Sequence, residues 1–161
     1  MIIIVSGLPG SGKSFFAELL AEKIDADYIN SDRLRKELFP NRTYSDHEKA
    51  SVYAAMLKSM EEAIGNGSNL VIDATFHKKA TRQLFTKKVK GNIRFIEVWA
   101  DEPIIKERLK ESRPYSDADF KIHQLIKQEW ESLEEAHLRL ESTNYNIDEM
   151  LQEALHYLNH D

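Results

Sequence analysis

The chain has 161 residues, of which 42% are hydrophobic and 30% are charged, and its formal net charge at pH 7 is -5. This length predicts a single domain with one core, and the composition excludes a disordered chain. Without cysteine, the chain cannot form disulfides, thiolate metal sites or thiol nucleophiles. No apolar stretch is long enough for a signal or membrane segment, so we expect a cytoplasmic protein with no membrane partner.

The first predicted elements are a short buried strand and a glycine-rich loop. The apolar run Met1–Val5 leads into Gly7–Ser14, whose sequence GLPGSGKS matches the phosphate-binding pattern G-x-x-x-x-G-K-S. In this pattern backbone amides surround phosphate oxygens, the lysine contacts the β- and γ-phosphates and the last hydroxyl binds magnesium. We therefore predict that the chain binds ATP with Mg²⁺. The expected nucleotide-binding residues of the loop are Gly7, Pro9, Gly10, Ser11, Gly12, Lys13, Ser14 and Phe15.

Helices and strands alternate along the rest of the chain. In chain order we predict a helix to about residue 25, a strand at 28–29, a helix to 38, a helix from 45 to 64, a strand at 70–72, a basic helix, a strand at 93–100, a helix at 102–113, one or two helices between 120 and 140, a strand at 145–147 and a final helix. This alternation predicts an α/β fold with an open, parallel five-stranded sheet and helices on both faces. Ligands then bind at the carboxyl ends of the strands.

Two charged residues follow the second predicted strand. Asp32 and Arg35 are three residues apart on a predicted helix and so share one face. A carboxylate can accept the proton of a hydroxyl that attacks a γ-phosphate, and a guanidinium can hold a phosphate with two hydrogen bonds. We therefore predict catalytic and acceptor-binding roles for both residues. The alternative for Asp32 is a helix N-cap for the segment that starts at Arg33.

The third predicted strand also ends in polar residues. Asp73 is placed to approach magnesium together with Ser14, and Thr75 lies just beyond it at the expected acceptor site. The alternative for Asp73 is a structural hydrogen bond to Ser14 without a role in catalysis. We predict the metal site.

Charge is distributed unevenly along the chain. Residues 74–96 contain seven basic residues and no acidic residue, whereas residues 129–161 contain nine acidic residues and one arginine. The basic stretch would suit an anionic substrate such as a nucleic acid. The alternative is an ordinary solvated helix face.

Four segments together resemble a known family. They are GLPGSGKS at 7–14, SDRLR at 31–35, VIDATF at 71–76 and the arginine-containing segment before residues 116–118. In order and spacing these are similar to the P-loop kinases related to 5'-hydroxyl polynucleotide kinases and zeta-toxin kinases, which include bacterial predicted kinases with an AAA-type ATP-binding domain. The resemblance covers most of the chain. It implies a P-loop kinase fold with a small helical lid at about residues 109–120.

The resemblance also implies roles for particular arginines. Arg82 is similar to a basic residue used by acceptor sites in this group, and the alternative is a surface arginine. Arg108 and Arg113 flank the break at Pro114 where related kinases carry the lid, so Arg108 is expected at the nucleotide and Arg113 at the transferring phosphoryl group. Their alternative is pairing with glutamates on the helix surface. The expected catalytic residues are Lys13, Asp32, Arg35 and Arg113, and the expected acceptor-binding residues are Asp32, Arg35, Thr75 and Arg82.

The function expected from these features is transfer of the γ-phosphate of ATP to a hydroxyl, first of all the 5'-hydroxyl of a polynucleotide. A second hypothesis keeps the chemistry with a small-molecule acceptor, such as a sugar, a nucleotide sugar or an antibiotic. A third is a nucleotide-binding regulatory module. The motifs of signalling GTPases and transporter ATPases are absent from the sequence, which disfavours those classes.

Overall fold

The computed structural model describes residues 1–89, 91, 93–111 and 118–160. Arg113 lies outside the described residues, as do all of residues 112–117 of the predicted lid, so both remain predictions. The five strands are β1 (Ile2–Ser6), β2 (Asp27–Asn30), β3 (Leu70–Asp73), β4 (Ile93–Trp99) and β5 (His137–Glu141). The helices are α1 (Lys13–Lys23), α2 (Ser31–Leu38), α3 (Asp46–Asn66), α4 (Lys79–Thr86), α5 (Glu102–Arg108), α6 (Phe120–Glu129) and α7 (Ile147–Asn159).

The strands form one parallel sheet with the order β2-β3-β1-β4-β5. Alternate residues of the central strand β1 face opposite layers: Ile3 and Val5 pack with α1 and α7, and Ile2 and Ile4 pack with α3. Both faces of β1 are therefore buried, which explains why its sequence is continuously apolar. The predicted α/β fold with helices on both faces is confirmed.

The predicted last strand at 145–147 is wrong. The fifth strand is His137–Glu141, Tyr145 is 95% exposed and Ile147 begins α7. Leu138 and Leu140 contact the core while Arg139, between them, pairs with Glu97. The apolar positions between 120 and 140 predict helices as far as Leu140, whereas α6 ends at Glu129 and the two-residue period begins at β5.

Other boundaries also differ from the prediction. Helix α5 ends at Arg108, before the predicted end at 113. Helix α6 begins at Phe120, and the carboxylate of its N-cap Asp119 accepts a hydrogen bond from the amide of Ile122 at 2.9 Å. Helix α3 continues through Gly65 and ends at Gly67, whose φ of 68° suits glycine. No helix within the described part of the chain is long and apolar enough to cross a membrane.

Candidate active site

The phosphate loop joins β1 to α1. Gly10 and Gly12 have φ values of 81° and 89°, a backbone conformation that residues with a side chain rarely adopt. Gly7 is required for a different reason, because a Cβ at this position would lie 2.5 Å from the carbonyl oxygen of Val98. Lys13 is the first residue of α1, and its ammonium has no partner among the described residues. The loop is therefore shaped to present amides and one cation to an anion.

Carbonyl oxygens of the loop are held by groups from later elements. The guanidinium of Arg108 donates to the oxygen of Gly10 at 3.1 Å, and Nδ1 of His123 lies 3.1 Å from the oxygen of Pro9. Arg108 also donates to Ser142 at 3.2 Å, and a Cβ at Gly12 would lie 2.6 Å from the Ser142 hydroxyl. Contacts from α5 and α6 therefore hold two carbonyl oxygens of the loop in place.

A buried polar cluster lies at the carboxyl ends of β2 and β3. Asn30 and Asp73 are register partners, and Nδ2 of Asn30 donates to Asp73 Oδ2 at 2.7 Å and to Ser14 Oγ at 3.2 Å. The hydroxyl of Tyr28 donates to the same Asp73 oxygen at 2.7 Å. Burial, followed by the charge of Asp73, raises the pKa of Tyr28, so this hydroxyl remains a donor. Asn30 therefore links the phosphate loop to the predicted metal residue.

The donor set of this cluster fits Mg²⁺. Asp73 is fully buried, and its Oδ1 has no hydrogen-bond partner in the part of the chain that the structure describes. Mg²⁺ prefers oxygen ligands and is commonly held by one or two protein oxygens together with substrate phosphates. Within the described ranges, no group of three or more His, Asp or Glu side chains is arranged to bind a metal ion. Ser14 and Asp73 are the residues that would hold the ion.

Asp32 and Arg35 lie together on α2. Arg35 Nη1 is 3.5 Å from Asp32 Oδ1, and Arg35 Nε is 3.5 Å from the buried carboxylate of Glu48. Burial would raise the pKa of Glu48, but hydrogen bonds from Thr43 and Tyr44 outweigh it and, with Arg35, lower this pKa. The Asp32 side chain is 35% exposed, and the N-cap of α2 is Asn30. Asp32 is therefore not the cap of this helix.

Thr75 belongs to the segment that follows β3. Its carbonyl oxygen accepts a hydrogen bond from the amide of Gly7 at 3.4 Å, and its hydroxyl lies 3.3 Å from Nδ1 of His77. Nε2 of His77 is 3.4 Å from the carboxylate of Glu129. Burial lowers the pKa of His77, and Glu129 opposes this effect. Phe76, which lies between Thr75 and His77 in the sequence, is fully buried and has a φ of 50°. This segment is therefore held in a strained conformation next to the phosphate loop.

Arg82 does not occupy the position expected of an acceptor-binding residue. Its side chain has no exposed surface, and its guanidinium donates to the carbonyl oxygens of Phe76 at 2.7 Å and Ser132 at 3.0 Å. Nε of Arg82 lies 3.4 Å from the carboxylate of Glu135. The placement corrects the expectation from the sequence: Arg82 joins two loops inside the protein and has no surface to offer an acceptor.

The basic stretch is also partly neutralised. Lys79 pairs with Glu134 at 2.5 Å, and Lys88 pairs with Glu61 at 3.4 Å. Glu134 and Glu135 come from the acidic last part of the chain, which therefore contacts the basic helix instead of lying apart from it. Two of the seven basic residues of this stretch are therefore paired with glutamates at the surface, and Arg82 is buried.

The structure brings together most of the residues that the sequence singled out. Ser14 and Asp73 share one cluster, and Asp32 and Arg35 share one helix face. Arg108 contacts the phosphate loop. Phe15, by contrast, is 64% exposed to solvent. The sequence reasoning missed Asn30, Tyr28, Glu48 and His123 as parts of the site. Asn30 had a usable signal, since it is a polar residue at the carboxyl end of a strand. The buried contact of His123 had none.

Comparison with known proteins agrees with this architecture. Residues 2–133 match the family model described as an AAA domain. A probable gluconokinase of Dictyostelium discoideum is 22% identical over 174 residues, which span 98% of this chain and 86% of the relative. A sugar kinase structure from Janibacter sp. HTCC2649 has a TM-score of 0.77 at 16% identity, with 98% of this chain and 93% of that chain covered. APS kinase of Mycobacterium tuberculosis, solved with AMPPNP and APS, has a TM-score of 0.70 at 20% identity and covers 99% and 98%.

The family match spans most of the chain and includes the phosphate loop, α2 and β3, where the predicted site residues lie. The solved structures match over nearly the whole chain and share its fold. This chain belongs to the AAA domain family, and its fold is that of the P-loop kinases.

Proposed function

We propose that this chain is an ATP-dependent kinase that phosphorylates a hydroxyl of a small molecule. The observation that carries the proposal is the arrangement around the phosphate loop. On one side Ser14, Asn30 and Asp73 form an oxygen-rich cluster suited to Mg²⁺, and Asp32 follows Asn30 by two residues on α2. A nucleotide-binding module that only regulates would need no carboxylate to accept a proton from an acceptor hydroxyl.

The proposed reaction uses these groups in named roles. The acceptor hydroxyl oxygen forms a bond to the γ-phosphorus while the bond between that phosphorus and the β,γ-bridging oxygen breaks, and ADP leaves. Asp32 accepts the hydroxyl proton, and Lys13 contacts the β- and γ-phosphate oxygens. When bound, Mg²⁺ neutralises charge on the phosphates, and Ser14 and Asp73 would hold it. Arg35 orients Asp32 and contacts the acceptor.

A small-molecule acceptor is favoured over a polynucleotide by two observations. Arg82 is buried and Lys79 is paired, so two basic residues of the stretch that would suit a nucleic acid are committed to contacts within the protein. The similar proteins include a gluconokinase, a sugar kinase and an APS kinase, whose names indicate small acceptors. This support lies at the level of acceptor class and names no particular molecule.

The experiment is a transfer screen with γ-labelled ATP. Pools of sugars, sugar acids, nucleosides and nucleotides, and single-stranded DNA and RNA with 5'-hydroxyl ends, are each incubated with the protein and Mg²⁺. We expect label on a small molecule and none on the oligonucleotides. The Asp32→Asn variant serves as the matched control, because it keeps the shape of the side chain without its ability to accept a proton.

Two results would contradict the proposal. Label on oligonucleotide ends at low salt, with none on any metabolite, would restore the polynucleotide hypothesis. Tight ATP binding with no transfer to any pool, and identical slow hydrolysis by the wild type and Asp32→Asn, would favour a regulatory module.

A further inference from the structure

A cavity lies beside the phosphate loop. It has a volume of about 480 Å³, within the range typical of small-molecule pockets, and it is bounded by the loop, the carboxyl end of β4 and helix α6. None of Asp32, Arg35 and Thr75 lines it. The cavity is therefore separate from the side of the loop where the acceptor is expected.

Two buried polar atoms of residues lining this cavity lack partners. Ser11 and His123 are each 1% exposed, and neither Ser11 Oγ nor His123 Nε2 has a hydrogen-bond partner among the residues described. Because the oxygen of Pro9 can only accept, Nδ1 of His123 donates to it, and Nε2 of the neutral ring is then an acceptor. Buried polar groups are nearly always hydrogen-bonded. Ligand hydroxyls would supply these two atoms with partners.

Aromatic surface forms another part of the wall. Trp99 and Trp130 both line the cavity, and they are the two tryptophans of the whole chain. The guanidinium of Arg139 lies 4.5 Å from the centre of the Trp99 ring. Apolar walls combined with a few placed polar groups are typical of ligand sites, and tryptophan supplies an apolar face with a polar edge.

The charges at the cavity disfavour an anionic ligand. Lys127 pairs with Glu102 at 2.9 Å, and Arg139 pairs with Glu97 at 3.1 Å. Asp101 adds a further carboxylate to the lining. Three carboxylates thus line the cavity against two cations, and both cations are already paired. The two atoms without partners belong to the hydroxyl of Ser11 and the imidazole of His123.

We propose that this cavity binds a neutral, hydroxyl-rich small molecule of the sugar or polyol class, separately from the nucleotide and from the phosphate acceptor. Hydroxyls of the ligand donate to His123 Nε2 and exchange a hydrogen bond with Ser11 Oγ, and its apolar face packs on the tryptophans. Because Ser11 belongs to the phosphate loop and His123 holds the oxygen of Pro9, occupancy of the cavity changes nucleotide affinity. By thermodynamic linkage, the nucleotide changes ligand affinity by the same factor.

The test uses intrinsic tryptophan fluorescence, since both tryptophans line the cavity. The full chain, without ATP, is titrated with D-glucose, D-xylose and D-sorbitol to about 50 mM, a range that detects even millimolar affinity. D-Gluconate is the charged counterpart of glucose. We expect a saturable emission change with at least one neutral probe and a weaker response to gluconate.

Variants assign the response to the cavity. Ser11→Ala and His123→Phe each remove a polar partner and should weaken probe binding about tenfold. Leu125→Ala is the matched control on α6, because this residue is 53% exposed and does not line the cavity. Asp32→Asn should bind the probe like the wild type. Thermal unfolding of each variant checks that it remains folded.

Three outcomes would overturn the inference. The first is the absence of a saturable change with any neutral probe, which means that the cavity holds only water. The second is tighter binding of gluconate than of glucose. The third is a response lost in Asp32→Asn but retained in both cavity variants, which would place the probe at the acceptor side. Since no ATP is present, failure of phosphate transfer would leave the binding result unaffected.

Discussion

Replacing Arg82 with methionine should destabilise the protein strongly. Methionine retains an unbranched apolar side chain but removes the donors that satisfy the carbonyl oxygens of Phe76 and Ser132. Each buried acceptor left without a donor costs about 1–3 kcal/mol. Glu135 is 22% exposed and can be hydrated, so its loss of a partner adds less. We expect Arg82→Met to lower the free energy of unfolding by about 3–5 kcal/mol.

Urea unfolding with linear extrapolation measures this change. Lys79→Met is the matched control on the same helix, because Lys79 and Glu134 are 41% and 70% exposed and such pairs contribute about 0–1 kcal/mol. In the folded Arg82→Met protein, the apparent binding constant of the acceptor should equal that of the wild type. An unfolding free energy within about 1 kcal/mol of wild type, together with weaker acceptor binding, would refute the structural role.

Four further outcomes follow from the site. Lys13→Ala should abolish transfer in a labelled-ATP assay while its urea midpoint stays near that of the wild type; normal turnover would remove the phosphate-loop assignment. Asp32→Asn should reduce transfer by roughly 10²- to 10⁴-fold with unchanged ATP affinity by calorimetry, and unaltered transfer would exclude Asp32 as the base. Asn30→Ser keeps an N-cap oxygen but removes the amide that donates to Asp73, so transfer should need more Mg²⁺, as a magnesium titration would detect. Burial lowers the pKa of His77, so the unfolded chain binds the proton more readily and the stability should fall as the pH drops through about 6.5. His77→Gln should flatten this pH dependence in urea titrations. An equal slope in both proteins would contradict the reasoning.

Much of the fold could be predicted because its signals are local. The phosphate loop fixes a strand, a turn and a helix in order, and the apolar runs of β1 and β3 indicate strands buried on both faces. Strand β5 could not be recognised from the sequence, because Leu138 and Leu140 continue a series of apolar positions that begins at Phe120 and predicts helix, although α6 ends at Glu129. Only the pairing of these residues with β4 shows that they form a strand, and this pairing is a property of the assembled sheet.

The position of a candidate residue was predictable where it follows a strand end, as for Asp73 and Asp32, while the roles of both residues stay predictions. It was not predictable where long-range contacts decide the role. Arg82 has the same sequence context as a surface arginine, but its partners include the oxygen of Ser132, 50 residues away. His123 likewise reaches the oxygen of Pro9 from a helix that carries no motif. Contacts with backbone carbonyl oxygens cannot be recognised in a sequence, because every residue has such an oxygen.

The close contact between Gly12 and Ser142 has a consequence for where variation is tolerated. The phosphate loop lies near the start of the chain, but Arg108 and Ser142 pack against it from α5 and from the turn between β5 and α7. A bulkier side chain at position 142 would press on the loop as a substitution within the motif would. Random mutagenesis selected for altered ATP affinity should therefore recover changes in the last quarter of the chain, where no nucleotide-binding motif exists.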